Sequence, residues 1–272
     1  MGLRINTNIA AVNTSRILRR NTLDLTKTLE RLSSGLRVNR AADDAAGLAI
    51  AEGFRSIVRG SEVAQRNSQD GISLVQTTEG ALSEASNILQ RIRELAVQAA
   101  NGTNSTTNRA SLDGEVQQLL QQIDDIATDS EFNGIRVLSS GQTVTIQAGP
   151  QPGQALVITV QGAKTNDLGI NAVSVSSIGL ASTAISTIDL ALRSVSILRS
   201  NLGALQNRLE FTINTLTIQV ENSSAAESVI RDADIAQETM RFTRYQILVS
   251  AGTSVLAQAN VIPQTALQLL GR

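Results

Sequence analysis

The chain has 272 residues, 42% of them hydrophobic, which is enough apolar material for one large or two modest cores. It contains no cysteine, histidine or tryptophan, so thiol and imidazole catalysis, disulfide staples and zinc sites with nitrogen or sulfur ligands are excluded. The net charge of −1 hides an asymmetry: residues 1–42 carry eight basic and two acidic groups and residues 231–272 four and three, so the acidic excess sits in the middle.

Aromatic residues make up only 2%, so any core is built from Leu, Ile, Val and Ala, the composition of packed helices. Prolines stand only at Pro150, Pro152 and Pro263, leaving long stretches in which a helix can run unbroken. Met1–Arg20 lacks an apolar core segment and a small-residue cleavage site, so export is expected without a cleavable signal peptide.

Ile5, Ile9 and Val12, then Leu18, Leu25, Leu32 and Leu29, Leu36, mark a first amphipathic helix stopping at Ser33–Gly35, where a glycine can take the left-handed cap. Asp43 and Asp44 supply negative charge at the start of the next helix, 45–100. One track there runs Ile50, Ile57, Ala64, Gly71, Thr78, Ala85, Ile92, Ala99, and a second runs Phe54, Ser61, Ser68, Val75, Leu82, Leu89, Ala96. Such a helix would be roughly 80 Å long at 1.5 Å per residue. Gly53, Gly60, Gly71 and Gly80 each cost it about 1 kcal/mol relative to Ala, so close backbone packing is expected at all four.

A polar turn over 101–108 leads to a third helix with Leu112, Val116, Leu119, Ile123 and Ile126 on one stripe. The pattern then alternates around Val144–Ile146 and Val157–Thr159, flanking Gly149-Pro-Gln-Pro-Gly153, which predicts a β-hairpin within about 137–165. After a variable-looking join, Ala181, Ile188, Val195, Leu202, Leu209, Leu216 and Ile230 predict a fourth long helix, flanked by Ile185, Leu192, Ile213 and Val220 and antiparallel to the second. The last helix carries Phe242, Val249, Leu256 and Leu270 beside Leu248, Val255, Ile262 and Leu269. That apolar face is wider than one partner helix covers, a sign of assembly.

Several competing signals lose on chemistry. Gln246–Leu270 is uncharged over the length of a membrane span, but Gln246, Ser250, Ser254 and Gln258 place a polar side on it, so no stable membrane insertion is expected. Asp129, Glu131 and Asn133-Gly134 resemble half of a calcium loop, yet the twelfth position is Ser140 and the closing carboxylate is missing, so a simple helix-ending turn is the better reading. Arg16, Arg19 and Arg20 cluster without interleaved aromatics, which argues against nucleic acid. No catalytic or cofactor motif is present, so neither an enzyme nor a cofactor is expected.

The segment Glu30-Arg-Leu-Ser-Ser-Gly-Leu-Arg-Val-Asn39, followed by Ala42-Asp-Asp-Ala-Ala-Gly47, closely resembles bacterial flagellin. The likeness continues through 67–82, Leu89-Gln-Arg-Ile-Arg-Glu-Leu-Ala-Val-Gln98, Gln246-Ile-Leu and Ala251-Gly-Thr-Ser-Val-Leu-Ala-Gln-Ala-Asn260, so it covers nearly the whole chain. The resemblance implies a mainly α fold: a long antiparallel helical bundle with a small hairpin region, an inner domain of 1–40 with 231–272, and a rod domain of 41–230.

It further implies a homo-oligomeric extracellular filament for swimming, exported through the flagellar type III route, with an export chaperone, a filament cap and hook-junction proteins as partners. The polymerisation interface would then be Ile5, Ile9, Val12, Leu25, Leu29, Leu32, Phe242, Val249, Leu256, Ile262 and Leu269. In members that activate a host Toll-like receptor, the contact matches Gln90, Arg91, Leu95 and Glu115; the plainer reading of Arg91 and Glu115 is a salt bridge between subunits. The short stretch 164–177 leaves no room for the large insertions many flagellins carry, so a thin, smooth filament is expected. A hook-filament junction protein and a membrane-active amphipathic helical protein are the alternatives.

Overall fold

Heptad tracks become helices wherever the sequence carries them. The computed structural model describes residues 7–270, with side chains described for 7–261. In chain order it places α1 (Ile9–Ser34), α2 (Ala45–Ala100), α3 (Thr106–Asp129), β1 (Glu131–Phe132), β2 (Ile135–Arg136), β3 (Gln142–Gln147), β4 (Ala155–Val160), α4 (Ile178–Arg231) and α5 (Ile235–Leu270). The chain forms two compact units, one of Ile57–Glu221 and one of the flanking stretches up to Ser56 and from Asn222. The division between these compact units falls inside α2 and α4.

The unit of Ile57–Glu221 holds the dense core. From Ser61 onward both α2 tracks are buried, with Val75, Leu82, Leu89 and Ile92 fully enclosed. Ile50, on the same track, is 53% exposed, because it lies before that core begins. Antiparallel packing of α4 on α2 shows in their cross-contacts. Gln65 donates to Thr217, Gly71 abuts Leu209, Glu79 pairs with Arg199 and Arg93 with Asp189, one number falling as the other rises. The buried side of α4 joins Ala181, Ile188, Val195, Leu202 and Leu209 to a second track of Ala184, Ala191 and Leu198. Ile185, Leu192, Ile213 and Val220, expected as the second stripe, sit half-buried at its flank. Ala184 and Ala191 are small enough to be buried beside the larger track.

The expected hairpin is β3 and β4, paired antiparallel with Val144 opposite Ile158 and Ile146 opposite Leu156. These four point inward, while Thr143, Thr145, Val157 and Thr159 face outward, the two-residue period of a half-buried ribbon. Pro152 and Gly153 (φ 85°) make its turn, with Gln154 N–H donating to Gln151 O. Its tip lies on α2: a Cβ at Gly60 would stand 2.9 Å from Pro150 Cβ, and one at Gly71 would stand 3.3 Å from Leu209 and 3.4 Å from Ile146. Gly53 and Gly80, expected to be tightly packed as well, have open space around them within one chain.

Two features escaped the sequence reading. Asn133 (φ 50°) and Gly134 (φ 77°) turn a small β1–β2 hairpin rather than merely ending α3, since two left-handed residues match the twist of a two-residue loop. The join 161–177 is pinned to α3. Asp124 accepts from the Thr165 amide and hydroxyl at 2.8 Å each, Asp113 from Val175 N–H and Ser174 Oγ, and Gln117 donates to Val173 O. Buried Arg109 donates to Ala99 O and Asn101 O, satisfying carbonyls where α2 ends.

Candidate functional site: the terminal helix pair

Helices α1 and α5 form an antiparallel pair within the flanking unit. Asn8 opens it: its Oδ1 accepts from Ala11 N–H to cap α1, and its Nδ2 donates to Ala259 O near the far end of α5. Midway, Gly252 faces Leu18, where an added Cβ would lie 3.2 Å from Leu18 Cδ1. At the other end, buried Glu238 accepts from Arg31 of α1 at 3.2 Å and from Arg241 of its own helix at 2.9 Å. Asp234 caps α5 by accepting from Gln237 N–H.

The α1 exit is laced to the α4–α5 turn. Gly35 takes the left-handed cap (φ 72°) with its N–H on Arg31 O, as the sequence predicts. Its own carbonyl accepts from Ala233 N–H, and Arg37 donates from backbone to Arg231 O and from side chain to Ile230 O. Asp44 caps α2 by accepting from Gly47 N–H, whereas Asp43, expected to do the same, turns to the loop instead. It takes Lys27 at 2.7 Å and the amides of Asn39 and Arg40. The Lys27 hydrogen bond, with those amides, holds the Asp43 carboxyl below the usual carboxylate range.

The structure divides the expected interface residues into two sets. Leu25 and Leu32 of α1, and Phe242, Val249 and Leu256 of α5, lie half-buried along the seam inside one chain. Ile9 at 65%, Val12 at 70% and Leu29 at 53% exposure face outward. Ile5 lies outside the described residues, and so do the side chains of Ile262 and Leu269. Sequence reasoning missed Ile17, Leu23, Ile235, Met240 and Ile247, all at least half exposed. Met240 and Ile247 line an open groove with Ala236, Thr243 and Leu248 along α5. The helix period would have found three of them, because Leu23, Met240 and Ile247 each stand two positions before a seam residue (Leu25, Phe242 and Val249) and so fall on the opposite side of the helix.

Such a surface can bury itself against other protein but offers no chemistry. Among the described residues no group of three or more acidic side chains converges as a metal site. One helix among them, α4, has a stretch apolar enough to cross a membrane by length and composition, and its buried face belongs to the core described above.

The four residues matched to a receptor contact lie in the other unit. Gln90 and Arg91 are exposed on α2, and Glu115 on α3 accepts from Arg91 at 2.8 Å. This pair closes within one chain, so a bridge between subunits is not needed to satisfy it. Glu115 and Glu94 push the Arg91 guanidinium pKa up. Leu95 is 1% exposed and packs in the core, so only its three neighbours present surface.

Comparison with known proteins matches residues 5–143 to the bacterial flagellin N-terminal helical region and residues 185–270 to the C-terminal helical region of the same family. A flagellin of Halalkalibacterium halodurans is 48% identical over 269 residues, spanning 98% of this chain and 99% of its own. One of Bacillus subtilis is 43% identical, with 98% of this chain and 100% of the relative covered. A flagellar filament 31.3 kDa core protein of Treponema maltophilum is 42% identical over 98% of this chain and 99% of its own. Among solved structures, Bacillus cereus flagellin aligns with a TM-score of 0.51 at 37% identity, over 60% of this chain and 94% of that one. A putative flagellar hook-associated protein of Vibrio parahaemolyticus shares the fold at 12% identity (TM-score 0.59, 70% of this chain, 99% of that one).

Proposed function

The chain belongs to the bacterial flagellin family, and from that premise we propose that it polymerises through the outward apolar faces of its two terminal helices. It is a structural subunit of the extracellular flagellar filament, which serves motility, and it is not an enzyme. The observation that carries the proposal is the double-sided apolar character of the terminal pair. One side closes the seam within the chain; the other leaves Ile9, Val12, Met240 and Ile247 bare. Burying such side chains stabilises assembly by about 25 cal/mol per Å² removed from water.

In this reading residues 1–40 with 231–272 form the inner domain and 41–230 the rod domain. The seam residues Leu25, Leu32, Phe242, Val249 and Leu256 position the outward ones. The family resemblance adds Ile5, Ile262 and Leu269 to the proposed interface. The chain is exported by the flagellar type III route and meets an export chaperone, a filament cap and hook-junction proteins. A filament without added outer domains is thin and smooth, as the short join 161–177 supports.

Electron microscopy of salt-precipitated full-length protein beside a version truncated before Ile235 tests this. Filaments from the first and none from the second are expected; filaments from both would sink terminal-helix assembly. A host-receptor contact at Gln90, Arg91 and Glu115, supported by their shared exposed surface, is tested by Arg91→Ala in a cell reporter. Unchanged signalling there would rule it out.

A further inference from the structure

Helix α4 carries an apolar line that its own core does not use. Leu190, Ile197, Phe211 and Ile218 recur at multiples of seven, with Ala204 filling the gap. They are 61%, 61%, 71% and 59% exposed, so each leaves more than half of its surface in water. Seven-residue spacing keeps them on one straight ridge facing away from the buried track of Ile188, Val195, Leu202 and Leu209. Four large apolar side chains in one line, each more than half in water, make the kind of exposed apolar stripe that marks a protein contact.

The ridge is flanked by one cation on each side, Arg193 and Arg208, both exposed and forming no ion pair among the described residues. Fifteen positions separate them, about 22 Å along a helix. The outward face of α2 carries the complement. Asp70 and Glu84 are exposed, make no ion pair among the described residues, and stand fourteen positions apart, about 21 Å. Between them lie Gln76, Thr77 and Gly80, all exposed, and Gly80 has nothing within 4 Å of where a Cβ would stand. A small uncharged trough is thus bounded by two carboxylates at nearly the interval of the two guanidiniums.

We infer that the α4 ridge of one subunit docks on the α2 face of a second copy of this chain, with Arg193 and Arg208 meeting Asp70 and Glu84. This rests on the filament reading, which supplies identical chains at high local concentration. Used once per pair of subunits, with α4 of one chain on α2 of the next, the contact is head-to-tail, the kind that propagates into an open helical array instead of closing as a dimer. The open glycine gives the ridge its closest approach, and the charges set register.

The chain lacks cysteine, so two single-cysteine versions of the full-length protein give a clean test. Ile197→Cys and Thr77→Cys chains, mixed, assembled and oxidised, are expected to yield a cross-linked dimer only in filaments. Ile197→Glu with Phe211→Glu is expected to raise the critical concentration for assembly at least tenfold while the monomer's melting curve stays unchanged. Arg193→Glu with Arg208→Glu is expected to do the same, and adding Asp70→Arg and Glu84→Arg to that chain to restore assembly. Filaments from the ridge variants at the wild-type critical concentration would overturn the inference and leave the filament reading standing. So would a dimer of the Ile197→Cys chain with itself. Failure of the wild-type chain to assemble at all would instead remove the reading on which it rests.

Discussion

The two compact units use the same heptad grammar to opposite ends. In the unit of Ile57–Glu221 the repeats meet other repeats: both α2 tracks, the α4 tracks, the α3 stripe and the inner face of the hairpin enclose Leu82, Leu89, Ile123, Ile158 and Ile188 completely. In the flanking unit, the helix packed along α1 among the described residues is α5. Leu18, Leu25, Phe242 and Val249 on their seam stay half-buried, and the described hydrophobic residues buried there are Val38, Ala51 and Ala259. The first unit encloses its core within one chain, and under the proposed function neighbouring subunits complete the second. The difference lies in partner number, because a helix with one partner can cover only one stripe.

The sharpest way to break this contrast is to hollow each unit in turn. Leu89→Ala is expected to cost about 2–5 kcal/mol in chemical unfolding of the monomer, the usual range for a buried leucine. Leu25→Ala is expected to cost the monomer under about 1.5 kcal/mol, since its site is half open. Its larger effect should appear in the critical concentration for assembly. Equal losses in the monomer would mean that the terminal pair is already a complete core.

Removing the Asp124 clamp on Thr165 comes next. Asp124→Ala leaves a buried threonine amide and hydroxyl without their acceptor, so about 1–3 kcal/mol is expected, read by the same unfolding. Below that lies the cap of α1. Gly35→Ala places a side chain in the left-handed region and is expected to cost about 1 kcal/mol, seen as fraying of α1 by hydrogen exchange while the other unit is unmoved.

The smallest effect belongs to pH. Asp43 has its folded pKa lowered, so its contribution to holding the 35–44 loop is present above the ordinary carboxylate pKa and is lost as pH falls through the depressed folded value. Asp43→Asn should therefore flatten the acid limb of amide exchange at Asn39 and Arg40. A limb unchanged by the substitution would place the sensitivity elsewhere.

Much of this was legible in the residues. Repeats such as Val75, Leu82, Leu89 and Ala181, Ile188, Val195 announce buried stripes because bulk and spacing coincide. Ala184 and Ala191 did not announce theirs, since alanine is ordinary on a solvated face and only its packed neighbours make it buried. The Asp113, Gln117 and Asp124 anchors left no local period, because each reaches a loop 41 to 62 positions away. Within the terminal helices, the sequence marked apolar positions but could not sort Leu25 and Val249, which close the pair, from Ile9 and Val12, which face outward. That sorting depends on how far each helix is rotated about its axis, a quantity set by the partner.

Pro150 over Gly60 has a mechanical meaning for a part that works under torsion. The hairpin tip sits in a notch where α2 has no side chain, so sliding the ribbon along the helix drives the proline ring toward the next side chain in the row. Resistance to that shear comes from atomic overlap and rises within tenths of an ångström. A stop of this kind keeps its stiffness when salt screens every charge around it, which suits a thread turning in whatever water surrounds the cell.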